Sequence, residues 1–351
     1  LKFPKKLFLR FRDAEIRRHE LNYLFWECTL RCNLNCLHCG SDCNTSTAIA
    51  DMPLNDFIGA LKTIPRPSKN FTVVMTGGEP LLRNDIEECG KEIRKLGMQW
   101  SLVSNGILYT PERHNTLLNA GMGALTISLD GMEDSHNWLR NSGNTFKRVA
   151  DAIALATSAT RLNFDVVSCV TPKNLSQLAS VEEHLGNLGV RAWRLFTIAP
   201  IGRATENRDL LLNDKQFTQL MEFISATRER SKIKVQFSCE AYTGKYEHRV
   251  RDSYFFCRAG INIGSVLADG SISACPNNNR KLVQGNIYHD NLNQIWETKF
   301  QPFRNRAWTK TGICNNCKHF GECLGNGMHL HQGENLELVC CRSLNEKSKN
   351  H

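Results

Sequence analysis

The sequence predicts an α/β protein, a partial (β/α)6 TIM-like barrel followed by a small Cys-rich domain, on three observations. Six apolar, strand-like runs recur at fairly even intervals, and a helix-like stretch follows each of them. From about Ser231 the helical periodicity fades, and Cys, Gly and Asn become frequent. Strands alternating with helices imply parallel pairing with right-handed crossovers. Six such units are too few for a closed ring of eight, so the barrel is expected to be open.

The first 20 residues are basic (Lys2, Lys5, Lys6, Arg10, Arg12, Arg17, Arg18), and Phe3, Leu7 and Phe11 recur every four residues. That spacing predicts an amphipathic helix, which closes the bottom of the main domain or meets an acidic peptide or a membrane surface. The barrel is assigned to residues 21–230. Its strands are expected at Leu21–Glu27, Phe71–Met75, Gln99–Val103, Ala124–Leu129, Phe164–Val170 and Ala192–Ile198. Its helices are expected at Leu54–Ile64, Ile86–Leu96, Glu112–Asn119, Thr145–Ala156, Leu178–Leu188 and Asp214–Arg230. Residues 231–351 form the Cys-rich domain.

At 351 residues the chain has room for one large domain and one smaller. Its hydrophobic content of 41% is ordinary for a globular protein. No apolar run approaches the ~18 residues that would cross a bilayer. No secretory h-region and cleavage site is visible near the start. Fifteen cysteines, an odd number, fit a disulfide framework poorly. Clustered in a chain without an export signal, they point to metal in a reducing cytoplasm. A net charge of +9 permits an acidic partner without requiring one. No base-reading motif suggests nucleic acid.

The chemistry concentrates in Cys32-Asn33-Leu34-Asn35-Cys36-Leu37-His38-Cys39, a CxxxCxxC triplet after the first strand. The working loops of a barrel sit at the C-terminal ends of its strands. A cubane iron–sulfur cluster normally takes four thiolates, so three leave one iron open to a substrate. A structural zinc site is the competing reading, but zinc usually draws four ligands from two separated pairs. Thr76-Gly77-Gly78-Glu79-Pro80 ends the second strand. Glycines there let the backbone approach a ligand, and the carboxylate can meet an ammonium group.

With these two motifs the chain resembles the radical S-adenosylmethionine (radical SAM) superfamily from residue 21 to about 200. The resemblance implies that Cys32, Cys36 and Cys39 ligate a catalytic [4Fe-4S] cluster whose open iron binds S-adenosyl-L-methionine. One electron then cleaves a carbon–sulfur bond to give a 5′-deoxyadenosyl radical. His38 stands where the family usually has an aromatic residue whose backbone touches adenine. Gly77, Gly78 and Glu79 would hold the methionine amino group. Ser104 and Asn105 lie near where ribose and methionine are recognised, as does Ser128 in the Ser128-Leu129-Asp130-Gly131 segment. Arg140 looks like the arginine that pairs with the methionine carboxylate, a task suited to a guanidinium fork. The alternative for Asp130 and Arg140 is an ordinary surface pair. A flavodoxin- or ferredoxin-type protein would supply the electron.

The C-terminal region resembles the SPASM extension of that superfamily. Cys257, Gly270 and Cys275 fit its first part, Cys314, Cys317 and Cys323 its second, and Cys340 or Cys341 its last cysteine. The resemblance implies one or two auxiliary [4Fe-4S] clusters. The second keeps Cys314, Cys317, Cys323 and one of Cys340 and Cys341, unless those four bind zinc. The first departs from the family, because Gly327 occupies a ligand position. Cys257, Cys275 and Cys239 are left, with the spare cysteine of the 340–341 pair, His329 or a substrate as the fourth ligand. Cys28 and Cys43 flank the catalytic loop outside its spacing, and Cys89 is expected to be packed or exposed on a helix. Cys169 ends the fifth strand, where a thiol could donate hydrogen to a substrate radical. The alternative is a small buried apolar residue.

The combination resembles enzymes that modify ribosomal peptides or proteins by cross-link, thioether, epimerisation or oxidation. The stretches from His19 to Gly40 and from Asn286 to Cys317 are most similar to a bacterial subgroup, some members of which are associated with small lipoprotein-like partners. Pro276 follows Cys275 where sulfatase maturases have an aspartate base, which lowers the weight of formylglycine formation. The 31 residues before Cys32 are fewer than the ~80 of a fused leader-binding domain. The alternatives are tetrapyrrole side-chain modification and a non-catalytic electron-transfer or metal-binding module.

Overall fold

Branched and aromatic residues dominate the predicted runs, and all six become strands. They are β1 (Tyr23–Thr29), β2 (Thr72–Gly77), β3 (Gln99–Ser104), β4 (Ala124–Ser128), β5 (Asn163–Val170) and β6 (Ala192–Thr197). The structure is a computed structural model that describes residues 4–65, 67–238 and 241–341. Phe3 and Cys239 lie outside the described residues. The α-helices up to residue 230 are α1 (Lys5–Arg18), α2 (Leu54–Leu61), α3 (Ile86–Lys95), α4 (Pro111–Asn119), α5 (Glu133–Leu139), α6 (Phe146–Ser158), α7 (Leu178–Asn187) and α8 (Asp214–Arg230). Local chemistry sets several of their starts. Thr110 accepts a hydrogen bond from the Arg113 amide, with Pro111 in the first turn of α4. Asn213 and Gln216 form a reciprocal capping box at the start of α8.

The sheet continues beyond the six units. β7 (Lys234–Phe237) pairs parallel with β6, and β8 (Ile263–Val266) pairs parallel with β1. β9 (Ser271–Ser273) and β10 (Gly285–Asn286) extend that edge antiparallel. The order is β10-β9-β8-β1-β2-β3-β4-β5-β6-β7, so the sheet is open. The composition change at Ser231 therefore does not interrupt the sheet, which takes β7 to β10 from the Cys-rich side of it. Four-residue strands are too short to show a period.

The core is dense where β1 and β3 meet their helices. Trp26 stacks on Phe57 of α2 at 3.9 Å between ring centroids, and the Arg83 guanidinium lies 5.2 Å over the Trp26 ring. A Cβ at Gly90 would come within 2.5 Å of the Trp100 ring, so only glycine lets α3 lie this close to β3.

α1 differs from its expected apolar stripe. Its buried residues are Phe8, Arg12 and Glu15, while Leu7 and Phe11 are exposed. The face is polar because it docks on the C-terminal region. Arg12 donates to the carbonyls of Gly321 and Glu322 at 2.9 and 3.1 Å, and Lys5 pairs with Glu322. Long charged side chains can cover apolar surface and still reach such acceptors. No helix among the described residues is long and apolar enough to cross a membrane.

Candidate active site

β1 runs into a connection over residues 30–53 that contains no helix, a length usual for a functional loop. Its ends are tied by a bridge from Arg31 to Asn44 and by the Cys32 amide on the Asn44 carbonyl at 2.8 Å. Tight turns then follow, with the Cys39 amide on the Cys36 carbonyl at 3.3 Å and the Asp42 amide on the Cys39 carbonyl at 3.4 Å. Cys32 and Cys36 are buried and Cys39 is half-buried.

The triplet is surrounded by donors aimed at sulfur. The Asn105 amide reaches Cys32 Sγ at 4.0 Å, the Arg140 guanidinium reaches Cys36 Sγ at 3.8 Å, and the Cys43 amide reaches Cys39 Sγ at 3.4 Å. Burial pushes the Cys32 thiol up to about 11. The Cys43 thiol hydrogen-bonds Cys39 and holds it below the usual thiol range. Cys43, outside the motif spacing, is thus part of the site. Three thiols ringed by donors and a cation fit a metal centre, which takes its cysteines as thiolates.

Gly77 and Gly78 are required by close packing within the chain. A Cβ on Gly77 would meet the Thr29 carbonyl oxygen at 2.1 Å, and one on Gly78 would meet that of Arg31 at 2.1 Å. Their close approach is to the root of the cysteine loop, where the Gly78 and Glu79 amides each donate at 2.8 Å. Glu79 is likewise engaged within the chain. Its carboxylate is fully buried and accepts from the Leu81 amide at 3.1 Å, Ser104 Oγ at 2.9 Å and the Asn105 amide at 2.8 Å. It joins the second-strand loop to the third, and Ser104 serves it. Asn105 in turn bonds Asn33 Oδ1 at 2.7 Å. Ser128 ends β4 and is half-buried.

Asp130 and Arg140 form a buried ion pair at 2.6 Å, which excludes the surface-pair alternative. Burial alone would raise the Asp130 carboxyl, but Arg140, two nearby histidines and the Cys169 amide at 2.7 Å hold it low. α5 supplies Arg140 at its C-cap, and the Leu139 carbonyl accepts from the Leu37 amide at 3.0 Å. His38, Asp130 and Cys169 place their ligand atoms within 4.8 Å of one another. Burial lowers His38 to about 4, and its Nδ1 is buried without a hydrogen-bond partner among the described residues.

The connection after β6 adds a clamp that the sequence did not reveal. Arg203 donates to the Cys36 carbonyl at 2.8 Å, to the Cys43 carbonyl at 3.0 Å and to Asp42 at 2.7 Å. Gly202, at a φ of 55°, lets this segment lie on the cysteine loop, since a Cβ would meet the Cys39 oxygen at 2.4 Å.

His38, Gly40 and Cys169 face a cavity of about 880 Å³ that continues down the barrel. Phe25, Phe196 and Phe237 line it, residues 251–259 wall one side, and Cys257, Cys275 and His329 face it from the C-terminal region. Farther out, Cys314, Cys317 and Cys323 sit on short turns. Burial and the neighbouring Cys341 and Cys317 raise the Cys314 thiol to about 11, and Cys341 also acts on Cys323. Cys341 thus lies near Cys314 and Cys323. The Cys340 carbonyl accepts from Asn326 at 3.4 Å. Cys28 and Cys89 are buried in the core.

Two family models match the chain. The radical SAM superfamily matches residues 26–179, and the SPASM iron–sulfur cluster-binding domain matches residues 257–318. An AdoMet-dependent heme synthase of Methanosarcina barkeri is 26% identical, with 86% of this chain and 89% of that protein covered. The mycofactocin maturase MftC of Mycolicibacterium smegmatis is 26% identical (87% and 77% covered), and the PqqA peptide cyclase of Rhizobium meliloti 23% (90% and 86%). Among solved structures, anSMEcpe with bound AdoMet superposes with a TM-score of 0.70 at 19% identity (93% and 91% covered). Streptococcus suis SuiB bound to S-adenosylmethionine gives 0.69 at 14% (94% and 81%). At such identities these two structures support the fold.

Proposed function

Because the chain belongs to the radical SAM superfamily and carries a SPASM domain with auxiliary clusters, we propose that it abstracts hydrogen from a ribosomal peptide or small protein to install a modification. Cys32, Cys36 and Cys39 would hold a cluster that, when bound, would supply the electron for reductive cleavage of S-adenosylmethionine. The observation that carries the reading is that Arg140 joins Cys36 of that triplet to Asp130, whose carboxylate lies beside His38 and Cys169, the two side chains of the group that face the cavity. Arg140, oriented by Asp130, presents a fixed cation beside Cys36 for the methionine carboxylate. Glu79, Ser104 and Asn105 position the loops. Cys169, beside His38, is the thiol placed to exchange hydrogen with a substrate.

A peptide substrate is supported by the peptide-modifying relatives and by the long wall that residues 251–259 give the cavity. A second reading, tetrapyrrole modification, is favoured by the heme synthase relative and the aromatic lining of the cavity. Anaerobically reconstituted protein given reductant and S-adenosylmethionine is expected to release 5′-deoxyadenosine, and the Cys32, Cys36 and Cys39→Ala triple variant to release none. Equal release from both would remove the reading. A Soret shift on adding an iron tetrapyrrole at micromolar concentration would move the substrate to the second class.

A further inference from the structure

The auxiliary site nearest the cavity has a donor set unlike the one its family predicts. Gly327 stands at a position where a cysteine was expected, and the turn that follows it brings a histidine instead. The Met328 amide donates to Cys257 Sγ at 3.5 Å, which fixes this turn against the thiol. His329, next along the chain, lines the same cavity as Cys257 and Cys275. His331, two residues on, is spent on structure: its ring nitrogens meet the carbonyls of Leu336 and Gly325 at 3.0 and 2.7 Å. Among the described residues the His329 ring has no hydrogen-bond partner.

Asn278 supplies an independent sign of a missing group. It follows Cys275 by three residues, is 7% exposed, and faces the same cavity. Both polar atoms of its amide are buried without a partner among the described residues. Buried amides are ordinarily paired, so this one marks a place where an acceptor or donor is due. The sulfide or thiolate sulfurs of a cluster would accept from it.

We propose that His329 is a ligand of the first auxiliary iron–sulfur cluster, together with Cys257 and Cys275, and that Asn278 hydrogen-bonds that cluster. Imidazole in place of thiolate removes a negative charge from the ligand shell, which raises a cluster's reduction potential. The proposal rests on Cys257 and Cys275 being cluster thiolates and uses no turnover of S-adenosylmethionine, so its failure would leave the 5′-deoxyadenosine result standing.

The test uses the full chain carrying Cys32, Cys36 and Cys39→Ala, reconstituted anaerobically, so that only auxiliary clusters remain. Pulsed electron paramagnetic resonance of the reduced protein should show a strong coupling to directly bonded nitrogen. Labelling with 15N-histidine should change that coupling. His329→Ala should abolish it, and His329→Cys should abolish it while keeping the iron and lowering the midpoint potential. If the alanine variant does not fold, the cysteine variant carries the test. No strong nitrogen coupling in the parent, or its persistence after either substitution, overturns the proposal.

Discussion

The catalytic cysteine loop and the C-terminal cysteine turns are held in opposite ways. The loop is secured from outside by elements far away in sequence: Asn105 after β3, Arg140 at the end of α5 and Arg203 after β6. Cys314 and Cys317 are held by turns a few residues long, with the Cys317 amide on the Cys314 carbonyl, while the turn that carries Cys323 also takes Arg12 of α1 on the Gly321 and Glu322 carbonyls. The first geometry is assembled by the folded barrel. The second leaves Cys314 and Cys317 on short turns, where metal binding contributes directly to folding.

Four experiments test this contrast, in decreasing order of expected effect. Removing iron with a chelator under reducing conditions should strip hydrogen-exchange protection from residues 312–341 while β2 to β5 stay protected. Equal loss in both regions would end the distinction. Arg140→Leu should come next, because it leaves the Asp130 carboxylate buried and unpaired. A loss of ~3–5 kcal/mol is expected in denaturant unfolding, and the Asp130→Leu, Arg140→Leu double variant should recover part of it. Arg203→Ala should cost ~1–3 kcal/mol and reduce iron retention at the catalytic triplet but not in the C-terminal region. An iron content unchanged from the parent would mean that the clamp is incidental. Ser104→Ala removes one of three donors to Glu79 and should cost only ~0.5–1.5 kcal/mol, with iron content unaltered.

Much of the barrel was legible because its strands and helices are long enough to repeat a period, and α8 was predicted with the bounds it has, Asp214–Arg230. β7 and β8 were not, because four residues give no period and their place depends on partners at the two ends of the sheet. α5 was missed because its seven residues, Glu133–Leu139, are mostly polar and carry no apolar stripe. In the site, the cysteine triplet was singled out by its spacing together with the Gly77-Gly78-Glu79 motif one unit on. Glu79, Ser104 and the two glycines were found, but their contacts within the chain were not, since a motif names residues without saying which neighbour each will touch. Arg203 and Cys43 gave no signal because their partners are backbone carbonyls and a thiol that only the folded loop brings near.

The pairing of β8 with β1 has a consequence for anyone who would exchange parts between such proteins. Tyr23 to Trp26 are matched one to one with Ile263 to Val266, on the strand that feeds directly into the cysteine loop. A transplanted C-terminal segment offset by a single residue would turn inward side chains outward beside the catalytic loop. A barrel excised without its tail would present the naked edge of β1, an invitation to pair with another chain. Chimeras should therefore be cut so that this four-residue seam is inherited whole from one parent.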